Sequence, residues 1–393
     1  MWVFRQSSVA KKRYFQLDWQ YRFPSITART YAPCVKRWAI RHDCAKLRLM
    51  QTPSRLDALF DNLSEHTWLV TGGAGFIGSH IIAALLSHGQ RVTCLDDLST
   101  GRRENLDAVA QQVGEQNWSR CTFIEADIAE DGVAMEAVRG ADFVSHQAAL
   151  GSVPRSIEEP LETHRINVHG FALLCEAAMV HNVKRIVFAS SSAVYGDGVQ
   201  VPIQEADVGN PCSPYGASKI INELWARGCA YAHDGVYVGL RYFNVFGTRQ
   251  RPDGPYAAVI PSWLHRMVDG KAPIIFGDGM QTRDFTPVEL AVHANLLAAL
   301  EPTLSSGFHP FNVAPGVQLS LLELESMMRE VLGELVPDLE IEAPIFEAPR
   351  PGDIRHSHAD VTRFRVLCTS EVQFRLRDAL VELCKETIRQ PSP

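Results

Sequence analysis

The sequence predicts an α/β protein built on a doubly wound parallel sheet, with a smaller C-terminal α/β lobe for substrate. Three observations carry this. From Thr67 onward short β-branched runs alternate with amphipathic stretches, a glycine-rich turn separates the first run from the first helix, and an aspartate closes the second run. Strand and helix in that rhythm build parallel strands with crossover helices on both faces.

Taken in order, Trp68-Leu69-Val70 is the first strand, and the helix after the turn gathers Ile77, Ile81, Ile82, Leu85 and Leu86 on one side. Runs at 91–95, 121–125, 141–145 and 183–190 read as further buried strands, each followed by helical sequence. A helix near 214–232 and a strand at 236–242 continue the pattern. Beyond that it becomes irregular: loops rich in Pro and Gly at 247–255 and 277–279 interleave with helices near 259–269, 287–300 and 319–333. The expected division is therefore 66–245 mainly for a dinucleotide domain and 246–393 mainly for the substrate lobe, with some interleaving. Their cleft should lie at the carboxyl ends of the strands.

Composition narrows the class. With 393 residues, 46% hydrophobic and 21% charged, the chain can bury a sizeable core. No run approaches the roughly 18 consecutive apolar residues of a membrane span. Nine cysteines are scattered without a Cys-x-x-Cys pair, which argues against a disulfide framework and a structural zinc site and suits a reducing cytoplasm. No metal is expected. The net charge of −7 divides unevenly, with +9 in residues 1–49 and −16 in the rest, so the acidic body is a poor partner for nucleic acid. The basic start is like an organelle transit peptide in its arginines but lacks a clean amphipathic period. The alternative is upstream sequence foreign to the native protein, with Met50 as the true start. On either reading residues 1–49 are expected to be poorly ordered.

The run Thr71-Gly72-Gly73-Ala74-Gly75-Phe76-Ile77-Gly78 sits between strand and helix. Glycines at 72, 75 and 78 allow a tight turn and close approach of a pyrophosphate to a helix N-terminus. Glycines alone also mark ordinary turns. Here Asp96 ends the second strand eighteen residues after Gly78, placed to accept hydrogen bonds from an adenosine ribose. The ordered set points to a Rossmann-type site, and a carboxylate there repels a 2′-phosphate, favouring NAD over NADP. Asp97 reads as a polar loop residue.

In Ser213-Pro214-Tyr215-Gly216-Ala217-Ser218-Lys219, Tyr215 and Lys219 are four apart and share a helix face. A plain exposed face has the same spacing; the combination with Ser190-Ser191-Ser192 at a strand end gives it weight. A phenol of pKa about 10 needs a nearby cation to act as a base near neutrality, and Lys219 supplies one.

With these motifs in this order, residues 66–365 resemble the extended short-chain dehydrogenases of the NAD-dependent epimerase/dehydratase family. Within it the chain is most similar to the bacterial UDP-N-acetylglucosamine 4-epimerases. The resemblance implies that Ser191, four residues before Tyr195, is the catalytic hydroxyl, with Ser192 the near alternative, and that Tyr215 and Lys219 complete the set. It implies cofactor contacts at Ser99 and Gly101 after Asp96, at Asp127 and Ile128 beside the adenine, at Gln147, Ala148 and Ala149, at Asn167 near a ribose, and at Phe243. On the substrate side it implies Ser152, Ser191, Ser192, Asn244, Gln250, Ala258 and Val259, with Arg283 and Arg350 clamping the diphosphate through forked donors. Ser357 stands where epimerases that exclude the acetamido group carry a bulky Tyr.

No carboxylate occupies Ser192 or Ala193, where a 4,6-dehydratase keeps its acid pair. The resemblance therefore implies redox-neutral C4 epimerisation of UDP-GlcNAc and UDP-GalNAc with NAD retained. The open alternatives are a UDP-glucose or UDP-hexuronate 4-epimerase, a UDP-sugar decarboxylase, which would want a carboxylate near Ser192, and a non-catalytic NAD-binding protein, which would lack Tyr215 and Lys219. A homodimer built on helices near 157–182 and 213–232 is also implied. Departures from the family are Pro287 in place of an aromatic, Arg251 where an acid is common, and no Leu-Gly-Tyr-x-Pro element after Arg363.

Overall fold

The computed structural model describes residues 60, 63–252, 257–349, 354–368 and 375–389. The expectations for residues 1–49 and for Arg350 lie outside them. Seven strands form one sheet: β1 (Thr67–Thr71), β2 (Arg91–Asp96), β3 (Cys121–Glu125), β4 (Phe143–His146), β5 (Arg185–Ser191), β6 (Val236–Tyr242) and β7 (Gly307–Val313). Their order is β7-β6-β5-β4-β1-β2-β3, and every neighbouring pair is parallel. The order reverses between β1 and β4. At such a switch point the crossovers leave in opposite directions, opening a crevice beyond the strand ends.

Alternation along β1 shows how the sequence sets this sheet. Trp68 and Val70 point into one apolar layer and Leu69 into the other. The first layer is filled by helix α1 (Phe76–Ser87), whose Ile81, Ile82, Leu85 and Leu86 are fully buried, and by α6 (Val288–Leu300). Each such side chain contributes roughly 1.5–3 kcal/mol by leaving water. Helix α3 (Gly170–Val180) and the inner face of α4 (Pro214–His233) cover the second layer. Helix α2 (Arg103–Val113) packs beside α1.

Helices α5 (Val259–Val268), α7 (Leu321–Leu335) and α8 (Leu376–Arg389) enclose a separate core of Trp263, Leu264, Met267, Met328, Leu332 and Leu383. A capping box starts α7: Ser320 Oγ accepts from Glu323 N–H, and the Glu323 carboxylate accepts from Ser320 N–H. Strand β7 was not foreseen. Its Gly307 and Pro310 weaken a strand pattern, yet it docks along β6 over seven residue pairs at the edge of the sheet. Among the described residues three short strand pairs lie outside the main sheet, among them Val245–Phe246 with Thr286–Pro287.

Candidate active site

The glycine turn has the geometry of a cradle. Gly72 adopts φ +66°, and a Cβ there would stand 2.6 Å from the Ala148 nitrogen; at Gly78 it would stand 2.1 Å from the Gly72 oxygen. Backbone therefore packs on backbone at the N-terminus of α1, whose first residues Phe76, Ile77 and Gly78 line the crevice. Asp96 ends β2 with Oδ2 accepting from Ala74 N–H at 2.9 Å and Oδ1 from Leu98 N–H at 2.8 Å. Burial raises its carboxyl above the usual range. Asp97 is exposed and accepts from both the Ser99 N–H and hydroxyl.

Across the crevice, Asp127 Oδ2 pairs with Arg165 at 2.7 Å, while Ile128 is buried beneath. Gln147 follows β4; its amide donates to Asn295 Oδ1 at 2.9 Å and accepts from Tyr242 Oη at 3.2 Å. Ala148 and Ala149 then form the loop over the cleft.

Ser191 ends β5, and its Oγ accepts from Ala193 N–H, starting the 3-10 turn Ser192–Tyr195. Ser213 caps α4 by accepting from Gly216 N–H, with Pro214 in the first turn. One turn separates Tyr215 from Lys219. The Lys219 ammonium donates to the Ala189 carbonyl at 2.8 Å and stands 5.8 Å from the Tyr215 ring centre. Burial brings Lys219 down to about 8. Burial also raises the Tyr215 phenol, while a hydrogen bond with the Ser191 side chain pulls it down.

These groups line one cleft of about 960 Å³. Its walls include Gly72, Gly75, Phe76, Ile77, Gly78, Asp96, Ser99, Asp127, Ile128 and Gln147 at one end. Ser191, Ser192, Tyr215 and Lys219 lie in its wall, with Asn244, Gln250, Arg283 and Ser357. Ala258 and Val259 line an adjoining recess of about 340 Å³ together with Asn244, Arg283, Trp263 and Gln281. The segment carrying Ser357 is held over Arg283 by Thr282 N–H to the Arg355 carbonyl and Ser357 N–H to the Thr282 carbonyl, each 3.0 Å.

Four expected contacts are not among the residues that line the cleft. Phe243 is fully buried and packs on Tyr195 because the chain turns only afterwards, at Asn244 with φ +28°. The Asn167 amide is occupied by both backbone groups of Leu150 and by Ser218 Oγ, so it clasps the cleft loop to α4. Ser152 caps the short helix Val153–Glu158 through Arg155 N–H. Gly101 supports Asp96, whose Oδ1 lies 2.6 Å from where a Cβ at 101 would be. Sequence reading missed Tyr242, which lines the cleft, and the buried ion pair between Glu223 and Arg241. The signal available was an arginine within the apolar strand Val236–Tyr242.

The model of the NAD dependent epimerase/dehydratase family matches residues 68–314, well over half of the chain. The chain belongs to this family. It is 36% identical over 297 residues to a putative UDP-glucose 4-epimerase of Methanocaldococcus jannaschii, covering 75% of this chain and 90% of that one. Among solved structures it is similar to a UDP-N-acetylglucosamine 4-epimerase from Methanobrevibacter ruminantium in complex with UDP-N-acetylmuramic acid, with TM-score 0.74, 36% identity and coverage of 82% and 98%. A UDP-glucose 4-epimerase from Thermotoga maritima with UDP-glucose gives TM-score 0.72, 32% identity and coverage of 81% and 97%.

NAD is the cofactor of this family member, and the residues present fit it. The glycine cradle admits a pyrophosphate where any side chain would collide, and Asp96 and Asp97 place carboxylates at the end of β2. Placed so, the dinucleotide would run from Asp127 and Ile128 across the switch point to Ser191, Tyr215 and Lys219.

Proposed function

We propose that this protein interconverts the C4 epimers of a UDP-N-acetylhexosamine, UDP-GlcNAc and UDP-GalNAc. The observation that carries it is the convergence of Ser191, Tyr215 and Lys219 on a cleft that also holds Arg283, Asn244 and the small Ser357. Tyr215 takes the proton of the sugar C4 hydroxyl, and Ser191 hydrogen-bonds the same oxygen. Lys219 favours the phenolate. When bound, NAD supplies the acceptor for the C4 hydride and the donor that returns it. Arg283 and Asn244 hold the diphosphate while the 4-keto sugar turns to present its other face, and Tyr215 gives the proton back. Ser192 and Ala193 follow Ser191 with no carboxylate, so water is not eliminated from C5 and C6.

Support for the acetamido sugar comes from Ser357, whose small side chain leaves room in the cleft, and from the likeness to the M. ruminantium enzyme. A second reading, UDP-glucose, is favoured by the names of curated relatives such as the M. jannaschii protein. Room for a group does not strongly reject its absence, so the two are separated by experiment. A chromatographic panel of UDP-GlcNAc, UDP-glucose and UDP-glucuronate without added NAD should show interconversion of the acetamido pair. Ser357→Tyr should depress that activity more than any activity on UDP-glucose. Turnover of UDP-glucose with none of either acetamido sugar would sink the assignment.

The proposal includes a homodimer and a cytoplasmic place. Among the described residues no helix is long and apolar enough to cross a membrane, and the cysteines described as free, from Cys94 to Cys384, suit a reducing compartment.

A further inference from the structure

The Tyr215 and Lys219 face of α4 continues for another turn. Glu223 follows Lys219 by four residues, so the three side chains stand on one face, at successive turns. Lys219 reaches the Ala189 carbonyl, and Glu223 Oε1 accepts from Ser190 Oγ at 2.6 Å. Two consecutive turns of the helix thus grip two consecutive residues of β5, immediately before Ser191.

The second grip is itself held. Arg241 of β6 donates through Nε to Glu223 Oε1 at 2.9 Å and through Nη2 to Oε2 at 2.6 Å, with both side chains nearly inaccessible. Its remaining nitrogen donates to Tyr195 Oη at 2.9 Å and to the Glu205 carbonyl at 2.8 Å. Tyr195 closes the 3-10 turn that Ser191 opens, and its hydroxyl donates to Asn312 Oδ1. Asn312 in turn donates to the carbonyls of Ile203 and Asp360. Every Glu223 oxygen has a donor, and Ser191 lies between two segments that the ion pair fixes, Ser190 before it and Tyr195 after it.

Two physical arguments say what this arrangement does. A buried ion pair gains little net stability, because desolvation offsets the attraction. Satisfied on all sides, it instead enforces one geometry. It also cancels its own charge, so the cation acting on Tyr215 is Lys219 and not the buried guanidinium of Arg241. Proton transfer between Tyr215, Ser191 and a sugar hydroxyl depends steeply on their separations. We propose that Ser190 and Glu223 are positioning residues for that step, setting the Ser191 hydroxyl against Tyr215 at the height of Lys219.

This inference rests on the catalytic assignment of Ser191, Tyr215 and Lys219, so Tyr215→Phe is measured alongside. The mild variant is Ser190→Ala, which removes one hydrogen bond and leaves the ion pair. With holoenzyme and the best UDP-sugar of the panel, kcat should fall about 10-fold while KM stays within about twofold and NAD content is unchanged. The hydrogen bond with Ser191 lowers the Tyr215 phenol, so loosening Ser191 raises it. The acid limb of kcat against pH should therefore move upward. Glu223→Gln should show the same split with a larger loss where it folds.

A merely structural Ser190 would lower Tm and leave the kcat of folded enzyme and its pH profile untouched. A Ser190→Ala enzyme with kcat within about twofold of wild type and an unmoved acid limb, beside an inactive Tyr215→Phe, overturns the positioning role alone. A fully active Tyr215→Phe overturns the catalytic assignment and the inference with it.

Discussion

Lys219 shows how much of the proposed chemistry depends on one side chain. Its ammonium is buried under Tyr215 with the Ala189 carbonyl as acceptor, and burial brings it to about 8. At neutral pH it still carries its proton and raises the local potential. Burial pushes Tyr215 the other way, so without a cation the phenol would stay protonated across the physiological range. Lys219→Met should therefore move the acid limb of kcat upward by at least about one unit and cut kcat at pH 7 by about 10²-fold or more. A pH-rate profile of the variant checks this, and an unmoved limb would show that the phenol draws its activation from another group. Asp96 makes a related point: its oxygens are engaged by Ala74 and Leu98, so the carboxylate proposed to receive an adenosine ribose is held in place by backbone.

Helix α4 has two unlike faces. Tyr215, Lys219, Glu223, Ala226 and Ala230 look inward, while Ile221, Leu224 and Trp225 are exposed at helical spacing. The neighbouring short helices Val153–Glu158 and Pro160–His164 add exposed Ile157 and Leu161, the latter 85% accessible. Exposed apolar side chains grouped on neighbouring helices are the kind of surface that partners cover. A second copy packing the same helices is the proposed occupant, because an isologous contact needs one self-complementary patch. Trp225→Glu should leave a monomer in sedimentation equilibrium where the wild type forms the proposed dimer, with NAD retained, since Trp225 is exposed while Lys219 is buried. Monomeric wild-type protein at micromolar concentration would remove the dimer from the proposal. Between these helices and α3 the segment Arg165–His169 winds as a π-turn, and it presents Asn167 to Leu150 and Ser218.

At the scale of the whole molecule, pH acts through groups buried in unfavourable protonation states. His80 is brought to about 4 by burial and then by Arg249, and His146 to about 3 by burial and then by Lys219. Each is neutral when folded and takes a proton when unfolded below about 6.5, so acidification removes stability from there down toward the folded values. Asp284 opposes them. Burial raises it to about 6, so below that value the folded chain holds a proton that the unfolded chain does not. Asp96 and Glu289, whose carboxyls burial also raises, act in the same sense as Asp284 by smaller amounts, so the two histidines leave a net loss and the protein should be less stable at pH 5 than at pH 7. Urea unfolding at the two values tests the sign; equal or greater stability at pH 5 would contradict it.

The sequence by itself determined the parallel sheet, the glycine cradle, the acid at Asp96 and the placing of Tyr215 and Lys219 on one helix face, because each follows from local pattern: apolar period, turn chemistry and spacing along one helix; the choice of Ser191 over Ser192 came from the family resemblance. Six of the seven sheet strands are legible in this way. Strand β7 is not, since Gly307 and Pro310 suit a strand only at an edge, and edge position is a property of the assembled sheet. Only the tertiary structure decided that Phe243 and Asn167 do not line the cleft, that Tyr242 does, and that Arg241 meets Glu223. Those outcomes depend on which of several possible neighbours a side chain meets once distant segments pack, and no local spacing records that choice. The charge on Arg241 was readable; its partner, eighteen residues earlier on another element, was not.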